Sequence, residues 1–105
     1  MNMSIEEAWA IGLFEGEGCI SVEKRCWSAF MRVKTTDLDV AERLKEVWGG
    51  RVYEATMSPS NKKQPYCWTL QNKPVVRAIL VRILPFLSDR RACKASDAID
   101  RIDRC

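Results

Sequence analysis

One unit occurs twice in this chain: a pair of alternating apolar–polar runs followed by a helical stripe. In Cys19-Ile-Ser-Val-Glu-Lys-Arg25, Ile20 and Val22 point one way, and Cys19, Ser21, Glu23 and Arg25 point the other. After a short connection around Cys26 and Trp27, Ala29, Met31 and Val33 oppose Phe30, Arg32 and Lys34. Alternation with period two is the signature of a half-buried strand, and two such runs in succession form an antiparallel hairpin. Leu38, Ala41, Leu44, Val47 and Trp48 then recur at helical spacing, behind a cap at Thr36 or Asp37 and ahead of the stop Gly49-Gly50. The pattern repeats with a third strand over 51–57, a polar turn over 58–65 and a fourth strand over 66–71. Asn72 with Lys73-Pro74 opens a helix rich in Val, Ile and Leu, which Pro85 ends or kinks.

A helix precedes the first unit and another follows the second. Ser4 and Glu7 have capping-box spacing, and Ile5, Ala8, Trp9, Gly12, Leu13 and Gly16 follow as a stripe. The last helix starts near Ser88 or Asp89 and carries Ala92, Ala95, Ile99 and Ile102, with Asp97–Arg101 and Asp100–Arg104 spaced as ion pairs. The order is αββαββαα. This predicts an α+β fold, a four-stranded antiparallel sheet with helices on its apolar face, in one domain over 1–105. A chain of 105 residues buries a modest share of its surface, and dimerisation is a natural way to bury more.

Histidine is absent, which excludes Ser-His and Cys-His nucleophile pairs and most zinc enzymes. Hydrolysis would have to use carboxylates, lysine, arginine and metal. The five cysteines are odd in number and lack CxxC spacing, so neither a disulfide framework nor a zinc knuckle is indicated. A reducing compartment fits, cytoplasmic or organellar. No apolar run is long enough for a membrane span, and the N-terminus lacks the pattern of a signal peptide.

The net charge of +3 is mild, but its distribution is uneven. Residues 18–35 hold four basic and one acidic side chain, and residues 50–71 three basic and one acidic, so the hairpins carry +5 and the remainder −2. The polar sheet face and its turns, including Lys62-Lys63, collect the positive charge. Such a face, mixing Arg, Lys, Ser, Thr, Gln and aromatics, suits phosphate contact and base-edge reading, and it equally suits a solvated sheet surface.

The sharpest local feature is Trp9-Ala-Ile-Gly-Leu-Phe-Glu-Gly-Glu-Gly18. Ala8, Gly12 and Gly16 lie four residues apart and form one smooth ridge that permits close approach of two helix backbones. Each glycine costs a helix about 1 kcal/mol relative to alanine, so packing or function must offset it. Glu15 and Glu17 fall at the C-terminal end, where the helix dipole disfavours anions. Their presence there fits either a cation close by or two solvated glutamates.

Ala10 to Gly18 resembles the motif of the LAGLIDADG homing endonucleases. The likeness continues in order through Met31-Arg-Val-Lys-Thr-Thr-Asp37, Trp48-Gly-Gly-Arg-Val-Tyr53, Tyr66-Cys-Trp68 and Leu84-Pro-Phe-Leu87, nearly the whole chain. Ala10 and Ile11 depart from the family, which has Leu and a small Ala there. A single motif implies a homodimer meeting along the first helix, with Ala8, Ile11, Gly12, Glu15 and Gly16 at the interface. The last acid of the motif, Glu17, is then the metal ligand and catalytic residue, with the Gly16 carbonyl a further ligand; Glu15 occupies a position more often structural. Arg32 lies where a polar strand residue, often Gln, organises active-site water, and Arg90 lies where a basic residue approaches the scissile phosphate. The sheet becomes a saddle in the DNA major groove, with Ser21, Glu23, Arg25, Phe30, Arg32, Lys34, Arg51, Tyr53, Lys62, Lys63, Cys67 and Thr69 facing DNA.

The resemblance thus implies site-specific, double-stranded DNA cleavage at a nearly palindromic site, of the kind that mobilises introns or inteins. Mg²⁺ (or Mn²⁺) is the expected metal, because the ligands are hard oxygens. The alternative is a DNA- or RNA-binding regulator or maturase on the same fold, and a third reading is a protein-interaction module with a merely solvated basic face.

Overall fold

The structure, a computed structural model, describes residues 4–23, 28–60 and 62–104. Its elements run α1 (Ile5–Glu17), β1 (Gly18–Val22), β2 (Ala29–Thr35), α2 (Leu38–Trp48), β3 (Arg51–Glu54), β4 (Tyr66–Leu70), α3 (Lys73–Ile83), a 3-10 turn over Leu84–Phe86 and α4 (Asp89–Asp103). The predicted order is therefore observed, with strands shorter than the alternation implied. The third strand pairs only through Glu54 rather than Met57. The Cys26–Trp27 connection lies outside the described residues.

The helix starts follow the local chemistry. The Ser4 side chain accepts from the Glu7 N–H at 3.0 Å, and the Asn72 side chain accepts from Val75 at 3.3 Å. Asp37 is the N-cap of α2, though its side chain makes no capping bond. Gly49 and Gly50 end α2 with φ of 79° and 96°, a conformation that admits glycine readily. At Gly50 a Cβ would also sit 2.4 Å from the Thr69 carbonyl oxygen.

The strands form one antiparallel sheet in the order β1-β2-β4-β3. Its covered face contributes Ile20, Val22, Met31, Val33, Trp68 and Leu70 to the core. From the helices come Ala10, Ile11 and Phe14 of α1, Ala41, Leu44 and Trp48 of α2, Val76, Ile79, Leu80 and Ile83 of α3, and Ala95, Ala98 and Ile102 of α4. Leu38, first in the α2 stripe, is instead exposed. An aromatic chain ties the layers: the Phe14 and Trp48 rings meet edge to face at 6.1 Å, and Trp48 and Trp68 lie 5.8 Å apart.

Charged contacts fasten the helices to one another. Arg43 of α2 pairs with Glu6 of α1 at 2.8 Å and lies 4.1 Å from the Trp9 ring centroid. Glu7 accepts from the Trp48 indole at 3.2 Å and from Arg82 of α3, so it joins three helices instead of closing a capping box on Ser4. Arg77 and Asp103 join α3 to α4 at 2.6 Å. The hydrogen bond and charge of Arg43 hold the Glu6 carboxyl below its usual range, and Arg77 does the same for Asp103. Arg104 reaches the Asp100 backbone carbonyl at 3.4 Å, which replaces the carboxylate pairing its spacing implied.

The turn from α1 into β1 depends on Gly18 for room rather than for backbone freedom. Its φ is an ordinary −79°, but a Cβ would lie 2.3 Å from the Phe14 ring. Gly18→Ala therefore forces a core aromatic to shift and should destabilise the fold by about 1–3 kcal/mol in denaturant unfolding. Unchanged stability would mean that the Phe14 packing is slack.

Candidate nucleic-acid interface and active site

Period-two alternation leaves one sheet face without helices, and the register assembles its side chains into rows. Cys19, Arg32, Thr69 and Arg51 are successive partners across all four strands. Lys34, Cys67 and Tyr53 form a second row, and Ser21 partners Phe30. The Arg32 guanidinium lies 4.6 Å from the Phe30 ring centroid, and that of Arg51 lies 5.9 Å from the Tyr53 ring. Stacking of this kind restricts a guanidinium and presents its planar donor fork in a defined direction. The Arg32 Nε is buried without a hydrogen-bond partner.

Lys34, Arg51, Lys62 and Lys63 are exposed, as is Glu23, while Ser21, Phe30 and Arg32 are half-buried. Arg25 lies outside the described residues. Two expectations need correction. Cys67 and Thr69 belong to the open face but are only 4% and 6% exposed. They sit on β4, an inner strand, beneath longer side chains from β2 and β3, and the Thr69 hydroxyl donates to the Met31 carbonyl at 3.4 Å. They form the floor of the face. Above Cys67, contact with its thiol together with burial raises the Tyr53 hydroxyl from its usual 10.0.

The end of α1 meets the margin of this face. Glu17, the last residue of the helix, is exposed and borders a concavity of about 470 Å³ shared with Lys34 and Asp37. The Gly18 N–H bonds to the Phe14 carbonyl, and the Gly16 carbonyl accepts no hydrogen bond among the described residues. Glu17 and Gly16 thus offer hard oxygen donors of the type that Mg²⁺ or Mn²⁺ takes. No group of three or more Asp, Glu, Cys or His side chains gathers around a metal position among the described residues. Two such oxygens are fewer than Mg²⁺ takes, the remainder commonly being water.

The ridge expected on α1 is open. Ala8, Gly12 and Gly16 are exposed, Ile5 at the start of the helix is 84% exposed, and nothing lies within 4 Å of a Cβ placed at Gly12 or Gly16. Ile11 is a correction: at 5% exposure it packs in the chain's own core with Ala10 and Phe14 and is not on the open ridge. The exchanged Ala10-Ile11 pair therefore lies inside the protomer, off the exposed ridge.

Glu15 is likewise turned inward. Its Oε1 accepts from the Ser88 N–H at 2.9 Å, while Oε2 is buried without a partner. Hydrogen bonds from the Ser88 hydroxyl and N–H, aided by the charges of Arg91 and Arg90, hold the carboxyl below its usual range. Arg90 is exposed in the first turn of α4. Its neighbour Arg91, which sequence reasoning passed over, donates to the carbonyls of Glu15, at 3.1 Å, and of Gly18. A cation does stand near Glu15, then, and it is a guanidinium. A signal existed: two arginines open α4 where a helix dipole disfavours cations, and α1 ends with no basic residue in its last turn.

Ser88→Pro isolates the Glu15 contact. Ser88 has φ −66° and makes no side-chain capping bond, and Leu87 before it is extended, so proline fits the backbone and removes the N–H and the hydroxyl that meet Glu15. The melting temperature should fall, although proline in a compatible position normally raises it. A rise would show that the contact holds nothing.

No family model and no curated protein matches the sequence. Solved structures do match the fold. The homing endonuclease I-TnaI superposes with a TM-score of 0.65 at 16% identity over 91% of this chain and 70% of its own. The homing endonuclease I-CvuI, in complex with its target in the presence of calcium, gives 0.68 at 16% identity over 91% of this chain and 64% of its own. The archaeal intron-encoded homing endonuclease I-Vdi141I, complexed with DNA, gives 0.55 at 19% identity over 77% of this chain and 55% of its own. The protein has the fold of the homing endonucleases, the architecture implied by the resemblance of its first-helix motif.

Proposed function

We propose that this chain is one protomer of a homodimeric, divalent-cation-dependent DNA endonuclease acting on a pseudo-palindromic site. The observation that carries this reading is the open α1 ridge. Gly12 and Gly16 meet nothing within the protomer, so the helix-destabilising cost of glycine there has no internal offset. A second copy of the same helix, packed closely across a two-fold axis, supplies one and brings two copies of Glu17 together. Two basic sheet faces would then form a continuous surface. Complexes of I-CvuI and I-Vdi141I with DNA support a nucleic-acid role for such a surface.

Each residue then has a task. Glu17 and the Gly16 carbonyl would hold the cation, which would supply Lewis acidity and a more acidic water. Arg90 stabilises the negative charge that builds on the scissile phosphate. Arg32, its fork fixed against Phe30, orients the attacking water or the phosphate. Arg51, Lys34, Lys62 and Lys63 neutralise backbone phosphates and read base edges, a well-placed bidentate arginine contributing about 1–3 kcal/mol of discrimination.

Glu17→Gln should bind duplex with wild-type affinity in the absence of metal, yet cut at least about 10²-fold more slowly in Mg²⁺ or Mn²⁺. Target duplexes for this assay come from selection of cleaved sites in a random library. Should no divalent ion support cutting by the wild type while duplex or structured RNA still binds with a steep salt dependence, the chain is a binding regulator or maturase on the same fold.

A further inference from the structure

We propose that Arg91 is a positioning residue for the Glu17 site: by binding the carbonyls of Glu15 and Gly18, it holds the segment that carries the Gly16 carbonyl and the Glu17 carboxylate. The inference rests on the reading of Glu17 as a metal ligand and adds a residue outside the motif. The last turn of a helix exposes carbonyls that lack intrahelical partners. In α1 the Phe14 carbonyl is taken by the Gly18 N–H, and those of Glu15 and Gly18 by one guanidinium. The Gly16 oxygen, next to the Glu17 carboxylate, accepts nothing among the described residues. One side chain thus occupies the two carbonyls that flank the Gly16–Glu17 pair.

The same fork fixes where Glu17 stands. Arg91 reaches across the junction from the first turn of α4 and grips α1 on one side of Glu17 and β1 on the other. The Ser88 N–H on Glu15 adds a third contact from the same turn. Gly16 and Glu17, both exposed, lie between these grips. Lysine cannot substitute fully, because an ammonium is a single donor centre where the planar guanidinium satisfies two carbonyls at once.

The sign of the effect separates this role from simple electrostatics. A guanidinium beside a divalent cation repels it, so its removal alone would tighten metal binding. Loss of positioning would weaken it, as loss of groups that orient metal ligands commonly does, by about 10–100-fold.

The test is Mn²⁺ titration of the protein–duplex complex, followed by electron paramagnetic resonance, with Glu17→Gln defining the ions held elsewhere. Arg91→Ala should weaken the Glu17-dependent binding about tenfold or more, and Arg91→Lys should fall between it and the wild type. Duplex affinity without metal should be unchanged in both. If Arg91→Ala fails to fold, Arg91→Lys decides alone, since it keeps the charge and the stem. Binding as tight as wild type, or tighter, in the variant that folds overturns the assignment of Arg91. If Glu17→Gln binds Mn²⁺ as the wild type does, the reading of Glu17 itself is overturned and the Arg91 assignment with it.

Discussion

The placement of α1 governs everything else in this protein. Its inner face, through Ala10, Ile11 and Phe14, is core, and its outer face is bare. Between them the helix is fastened at both ends by groups from later in the chain. Glu6 and Glu7 tie its start to Arg43, Trp48 and Arg82. Ser88 and Arg91 tie its end, where Gly18 gives the Phe14 ring its space. Isolated surface ion pairs contribute little to stability. Arranged at two ends of one rod, however, they determine its rotation and axial position. An exposed carboxylate at the tip of that rod can therefore stand at a defined place without being buried.

The two faces of α1 explain why a small-residue stripe coexists with an ordinary hydrophobic core. Period 3.6 allows one helix to present Ile11 and Phe14 inward and Ala8, Gly12 and Gly16 outward. On the sheet, period two performs the same separation: Met31, Val33 and Trp68 inward, Arg32, Lys34 and Arg51 outward. The proposed site lies where these two partitions meet, its functional groups drawn from the outward residues.

Much of this was legible in the sequence, because it depends on local pattern. Alternation located the strands within a few residues, Ser4 and Asn72 marked helix starts, and Gly49-Gly50 marked a stop. The open face was legible as a set, but depth within it was not. Cys67 and Thr69 alternate correctly and are nonetheless floor, because an inner strand is overlaid by its neighbours' long side chains, and strand order is not written in alternation. Ile11 illustrates the corresponding limit on α1: a motif position implied the interface, whereas the angle around the helix placed it inside. Long-range donors were least legible. Arg91 meets α1 some seventy residues away in sequence, and only its unfavourable location at a helix start hinted that it served another element.

Sedimentation velocity of the wild type and Gly12→Leu, each alone and with a duplex, tests the central claim most directly. Leucine finds open space at this position in the protomer and should leave the fold intact, with helix propensity in its favour. The wild type should sediment as two chains, or two chains per duplex, and Gly12→Leu as one chain with its helical signal and melting temperature preserved. A variant that assembles like the wild type would contradict the account, because two helices could not then be meeting along that ridge.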